Sequence, residues 1–163
     1  MALNYTKKTI NHFLKPQNVG ELKNPDGYAQ IGNMVCGDQL DFFLKVEKGK
    51  IKDVKFLSFG CASNIATASI LTEKVKGMTI EAAKNYKWET VVAELGGLPS
   101  QKIHCSVMAV QGLKKAIADY EKNQVVEPTF GKKAKTTKVV KKAKPVVKVK
   151  KVAVKAKKVS KKK

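Results

Sequence analysis

An α+β fold is predicted: a three-stranded antiparallel sheet with helices packed on one face, followed by a disordered basic tail. Three observations predict it. Strand-like segments rich in aromatic and branched residues occupy 28–59, helical spacing dominates from residue 62 to about 123, and no aromatic residue follows Phe130. Strands first and helices afterwards place the helices on one side of an antiparallel sheet rather than between parallel strands.

In chain order, residues 3–14 set Tyr5, Ile10, Phe13 and Leu14 at roughly helical spacing before Pro16, which predicts an amphipathic helix. Residues 17–27 are rich in Asn, Gly, Pro and Asp and read as a loop. Segments 28–35, 39–47 and 51–59 are strand-like, the last two joined by Lys48-Gly49-Lys50 as a short hairpin turn. Leu40, Phe42, Leu44 and Val46 alternate with Asp41, Phe43, Lys45 and Glu47, and Val54 and Phe56 alternate with Asp53 and Lys55, so one sheet face is covered. Residues 62–76 predict a helix whose inner face holds Ile65, Ala68, Leu71, Thr72 and Val75, capped by Gly77. Short helices follow at 79–85 and 88–95, broken by Gly96-Gly97-Leu98-Pro99. A last helix from about Cys105 to about Asn123 turns Val107, Met108, Leu113, Ile117 and Tyr120 inward.

Charge divides the chain. Of the formal +20, the stretch 132–163 carries +16, from sixteen lysines and no acidic residue, and residues 1–131 carry +4. Such a stretch cannot bury enough apolar surface to offset the entropy of ordering, so residues 128–163 are expected to be a lysine-rich disordered tail and residues 1–127 one folded domain. The tail resembles the basic tails of histone-like proteins, and its charge suits non-specific polyanion contact. No run of eighteen apolar residues occurs and the first fifteen residues lack a secretory pattern, so a soluble, cytoplasmic protein without membrane insertion is expected. Three cysteines leave one unpaired in any disulfide scheme, which favours buried residues, metal ligands or nucleophiles over staples.

Those cysteines, Cys36, Cys61 and Cys105, all fall at ends and turns of elements, where side chains converge on sites. Cys61 and Cys105 are predicted at helix starts, which favours their thiolates. Cys36 and Asp38, two apart, point to the same side of an extended chain, and His104 adjoins Cys105. Three thiolates are one ligand short of a tetrahedral zinc or iron-sulfur set, and either Asp38 or His104 completes it. Met34 and Met108, flanking the cysteines, read as apolar shielding, His12 as a surface or packing residue and Trp88 as partly buried core. Ser63, Thr67 and Ser69 on the alanine-rich helix read as close-packing positions or local hydrogen-bonding groups.

Asn18-Val19-Gly20, Cys36-Gly37-Asp38, Phe59-Gly60-Cys61-Ala62-Ser63, the run from Glu94 to Pro99 and His104-Cys105-Ser106-Val107-Met108 resemble, in order over about residues 3–124, the iron-sulfur cluster scaffolds of the IscU type and the NifU amino-terminal domain. The resemblance implies a non-enzymatic scaffold on which Cys36, Cys61 and Cys105, with Asp38 and His104, hold a transient 2Fe-2S cluster made from ferrous iron and persulfide sulfur. It implies Cys105 as first persulfide acceptor, Asp38 as the weak oxygen ligand and His104 as alternative ligand. It also implies a cysteine desulfurase, an electron donor such as a ferredoxin, and cluster-accepting apoproteins as partners. Leu98-Pro99-Ser100-Gln101-Lys102 departs from the Leu-Pro-Pro-Val-Lys stretch read by a dedicated chaperone, so the resemblance does not carry that partner over. A zinc-dependent branch of sulfur acceptors is the alternative; it has an insertion between the second and third cysteines and lacks the histidine found here at position 104.

Overall fold

The computed structural model describes residues 4–124. The tail expected from residue 128 onward lies outside the described residues. Elements follow in the order α1 (Lys7–Leu14), β1 (Gly27–Asn33), β2 (Asp38–Glu47), β3 (Lys50–Phe59), α2 (Ala62–Val75), α3 (Ile80–Lys84), α4 (Trp88–Glu94), a 3-10 turn (Ser100–Lys102) and α5 (Ile103–Gln124). The strands form one antiparallel sheet in the order β1-β2-β3. The predicted α+β meander with its helices is therefore what this chain builds.

Strand periodicity sets the inner face. Ala29 and Ile31 of β1, Leu40, Phe42 and Leu44 of β2, and Ile51, Val54 and Phe56 of β3 are all buried. Ala29 lies opposite Phe42 and Phe42 opposite Phe56, so the three strands share layers of the core. Asp38 occupies the next inward position of β2 beyond Leu40, which puts a carboxylate, 4% exposed, at the edge of that core. Lys48 and Gly49 both have φ near +50 to +70°, the left-handed pair that a two-residue hairpin turn requires.

Helix α5 covers β1 and β2, and α2 packs beside it over β3. Close approach explains two glycines. A Cβ at Gly112 would lie 2.8 Å from the Phe42 ring and 2.9 Å from Ile31, and one at Gly27 would strike the Ala116 carbonyl and the Tyr120 side chain.

The inner faces of two helices differ from the expectation. On α2, Ser63, Asn64, Ala66, Thr67, Ser69 and Ile70 are buried in addition to Ala68, Leu71, Thr72 and Val75, whereas Ile65 is half-exposed. The helix lies between α5 and the sheet on one side and α1 on the other, so small residues all round it are enclosed and no single stripe marks the interior. On α1, which begins at Lys7 and not at residue 3, the predicted apolar face is turned out: Ile10, Phe13 and Leu14 are exposed and Thr9 is buried. Its docking is polar. Thr6 caps the helix by accepting from the Thr9 N–H (3.1 Å) and donates to the Leu95 carbonyl (2.5 Å), while His12 Nδ1 and the Gln17 N–H meet Ser69 Oγ at 2.9 and 2.8 Å.

Candidate metal centre

Three junctions converge at one end of the sheet. The turn between β1 and β2 is closed by Gly37 N–H to the Asn33 carbonyl (2.9 Å), with Gly37 at φ +70°, so Cys36 sits in a turn and not on extended chain. This corrects the premise of its pairing with Asp38, though not their proximity. Cys61 is the N-cap residue of α2, its carbonyl accepting from the Asn64 N–H (2.9 Å). Cys105 lies in the first turn of α5, which the 3-10 turn enters directly.

All five residues singled out in the sequence meet here. Asp38, Cys61 and Cys105 form one set whose ligand atoms lie within 4.8 Å of one another, and Cys36, Asp38 and His104 form a second. Asp38 belongs to both. Within the first set, Cys61 Sγ to Cys105 Sγ is 3.7 Å, and the two sulfurs lie 3.5 and 3.7 Å from Asp38 Oδ2. His104 Nε2 is 3.5 Å from Cys105 Sγ. Metal–sulfur bonds of about 2.3 Å at tetrahedral angles require sulfurs about 3.8 Å apart, so this spacing suits one cation and is too long for a disulfide. Exposure is graded: Cys36 is exposed, Cys61 half-buried and Cys105 buried. An open cleft of about 550 Å³ runs past Cys36, Asp38, Phe59 and Cys61.

Electrostatics separates the two inner thiols. Cys61 is lowered to about 6, chiefly by the hydrogen bond from the Cys105 thiol; burial opposes this, the Asn64 N–H and Lys102 assist, and Asp38 opposes. Cys105 is raised by the same hydrogen bond, by burial and by the negative charges of Cys61 and Asp38. The expectation that both helix-start cysteines favour the thiolate therefore holds for Cys61 and fails for Cys105, because a buried thiol beside a carboxylate and a thiolate keeps its proton.

Other residues serve the site without having been singled out for it. Lys102 is raised first by Cys61, then by Tyr5, Cys105 and Asp38, which marks it as the nearby cation. Gly60 has no room for a Cβ, which would fall 2.5 Å from Asn64 Nδ2 and 2.7 Å from Asp38 Oδ1. Asn64, fully buried, donates to Ser58 Oγ at 3.2 Å, and Asp38 Oδ1 accepts the Cys61 N–H at 3.1 Å. Thr67, read as a close-packing position or a local hydrogen-bonding group, donates to the Asn64 carbonyl at 3.0 Å and reaches the Cys105 carbonyl at 3.5 Å. Only the run Phe59-Gly60-Cys61 hinted at this closeness; Asn64 and Lys102 carried no signal. Met34 does not shield the site, being fully exposed beside the exposed Val35 and Phe59, whereas Met108 is buried.

An α+β domain with two cysteine–carboxylate sets joined at one aspartate has the donor groups of a metal-handling protein. Residues 4–127 match the model of the NifU-like N terminal domain. The chain is 48% identical over 122 residues to the iron-sulfur cluster assembly scaffold protein IscU of Aquifex aeolicus, covering 74% of this chain and 78% of that protein. It is 42% identical over 121 residues to the protein of the same name from Escherichia coli, covering 72% of this chain and 94% of the relative. A crystal structure of a NifU-like N-terminal protein from Brucella abortus shares the fold, with TM-score 0.57 over 72% of this chain and 94% of that one at 19% identity. The chain belongs to the IscU and NifU amino-terminal-domain family of iron-sulfur cluster assembly scaffolds.

Proposed function

We propose that this protein assembles a transient 2Fe-2S cluster from ferrous iron and desulfurase-derived persulfide sulfur and passes it to acceptor apoproteins. The observation that carries this reading is the sharing of Asp38 between two ligand sets, which suits a substrate of two metal ions better than one resident ion. Cys36, Cys61 and Cys105 are the proposed thiolate ligands, Asp38 the hard oxygen ligand that exchanges readily and His104 the alternative donor. The same residues suit iron or zinc as single ions.

Cys105 is the proposed sulfur acceptor, and its raised thiol sets an order of events. Ferrous iron binds first at Asp38 and Cys61, and its charge draws the proton from Cys105. The Cys105 thiolate attacks the outer sulfur of the desulfurase persulfide, forming a new S–S bond and releasing the desulfurase cysteine as thiolate. Two electrons from a donor such as a ferredoxin then cleave that bond, leaving sulfide on iron and the Cys105 thiolate free as a ligand. The chain turns over no substrate of its own. Free thiols suit a reducing cytoplasmic compartment, and among the described residues no helix is long and apolar enough to cross a membrane. The exposed rim of Met34, Val35 and Phe59 offers the desulfurase and the acceptors an apolar landing beside the cleft.

Anaerobic incubation with ferrous iron, cysteine, a desulfurase and a reductant is expected to give the visible absorption of a 2Fe-2S centre, absent in Cys61→Ser. Failure of the wild type under those conditions removes the proposal. A zinc-bound sulfur acceptor is the second reading, favoured by the near-tetrahedral spacing of Asp38, Cys61 and Cys105 alone. Stoichiometric zinc in the freshly purified protein, with desulfurase stimulation and no cluster, would select it.

A further inference from the structure

The first turn of α2 buries more polar atoms than capping requires. Among the described residues, the buried side-chain polar atoms without a partner are Ser63 Oγ and Asn64 Oδ1, neighbours in that turn directly after Cys61 and Ala62. Asn64 has no exposed surface. A residue that served only to fill this space would be apolar, because a buried amide with part of its hydrogen-bonding capacity unused costs stability. Asn64 also stands three positions after the N-cap, where a polar side chain in a capping box turns back to accept the N-cap N–H. Here Asp38 Oδ1 accepts that N–H at 3.1 Å, and the Asn64 amide is turned to the sheet instead. Its Nδ2 donates to Ser58 Oγ near the end of β3 (3.2 Å) and reaches the carbonyl of Gln39, the residue after Asp38 in β2 (3.5 Å). The opposite flip would set the amide oxygen against the Gln39 carbonyl, so the surroundings fix the orientation. One side chain thus ties together the start of β2, the end of β3 and the first turn of α2. Gly60 leaves the room for it: the point where a Cβ would sit lies 2.5 Å from Asn64 Nδ2 and 2.7 Å from Asp38 Oδ1, so amide and carboxylate share one small space.

We propose that Asn64 is a positioning residue for the candidate metal centre, pinning β2 and β3 to α2 so that Asp38 meets an ion through Oδ2 alone. The assignment rests on Asp38 being a ligand, as proposed above. The two oxygens of Asp38 are already divided between tasks. Oδ1 is held on the Cys61 N–H, at a helix start whose dipole favours an anion, and Oδ2 faces Cys61 Sγ and Cys105 Sγ at 3.5 and 3.7 Å. A carboxylate that gives one oxygen keeps an ion four-coordinate beside thiolates, whereas a two-oxygen grip adds a fifth bond. Without the Asn64 amide, the first turn of α2 is free to shift against Gln39 and Ser58, and the Cys61 N–H leaves Oδ1. The carboxylate then rotates, the site is no longer set for an ion, and a bound ion is open to both oxygens.

Anaerobic Co(II) titrations of the metal-free full chain test this, because four-coordinate Co(II) absorbs visible light more strongly than five-coordinate Co(II). Wild type, Asn64→Ala, Asp38→Ala and the double variant form a cycle. Ser58→Ala is a milder fifth chain that removes the nearest acceptor of the amide at a half-buried position. With Asp38 present, Asn64→Ala is expected to weaken Co(II) binding about tenfold and to lower the visible absorption per bound ion. With Asp38 absent, the same substitution should change the affinity by no more than about twofold and leave the spectrum as it is. Ser58→Ala should move both readouts in the same direction to a smaller extent, again only when Asp38 is present. Equal losses in the two backgrounds would mean that Asn64 supports the fold and not Asp38, and would overturn the assignment. So would an unaltered affinity and spectrum in Asn64→Ala with Asp38 present. Should Asn64→Ala not fold, the same two criteria apply to Ser58→Ala. A wild type that takes up no Co(II) would sink the metal-centre reading and this assignment with it, an outcome that the wild-type titration alone tells apart from the others.

Discussion

At the scale of single residues, the candidate centre turns on Asp38 and on the unequal thiols beside it. Asp38 is the one oxygen donor common to both ligand sets, and an oxygen ligand exchanges more readily than a thiolate. Asp38→Ala is expected to give a longer-lived cluster and slower transfer to an apoprotein, on the order of tenfold slower for each 1.4 kcal/mol of added affinity. Unchanged transfer rates followed by circular dichroism would remove that role from Asp38. The thiols predict a pH profile for the metal-free protein. Cys61, at about 6 in the fold against an ordinary value of 9.0, contributes stability that is present above pH 9 and lost as pH falls through 6. Cys105, raised in the fold, contributes stability that is present below pH 9 and lost as pH rises beyond it. Urea midpoints measured under reducing conditions should therefore rise from pH 6 towards 9 and decline above it. The rise should vanish in Cys61→Ser; a rise of the same size in that variant would place the titrating group elsewhere.

At the scale of elements, packing distance is the controlling quantity. Helix α5 can lie on β1 and β2 only because Gly112 has no side chain where the Phe42 ring passes. Gly112→Ala is expected to destabilise the domain by about 1–3 kcal/mol, read as a lower urea midpoint, because both the ring and Ile31 must shift. An unchanged midpoint would mean that α5 is free to move outward. The first helix is held differently. Thr6→Ala removes its N-cap and its bond to the Leu95 carbonyl, with an expected cost of about 1–2 kcal/mol and faster amide exchange across α1, as against unaltered exchange if α1 docked through apolar contact.

At the scale of the whole molecule, metal binding is expected to be coupled to folding, because the candidate ligands come from three separate junctions that only the folded chain brings together. Zinc at about 100 times its dissociation constant should add about 2.7 kcal/mol and raise the melting temperature by several degrees, an increase that Cys61→Ser abolishes. A melting temperature indifferent to zinc would show that no cation spans those junctions.

The order of elements and most of the inner sheet face were legible in the chain, because period-2 alternation through Leu40, Phe42 and Leu44 follows directly from strand geometry. The five candidate residues were legible too, through their place at turns and the family pattern around them. The directions of α1 and α2 were not. A helix enclosed on several sides, as α2 is, leaves no stripe of apolar residues to read, and the stripe that α1 does have, Ile10, Phe13 and Leu14, faces outward because that helix docks through Thr9 and His12. Nor could local sequence reveal which thiol keeps its proton, or that Asn64 and Lys102 attend the site. Ionisation and steric room depend on what lies a few ångströms away in space, and for Cys61 and Cys105 those neighbours are tens of residues away along the chain.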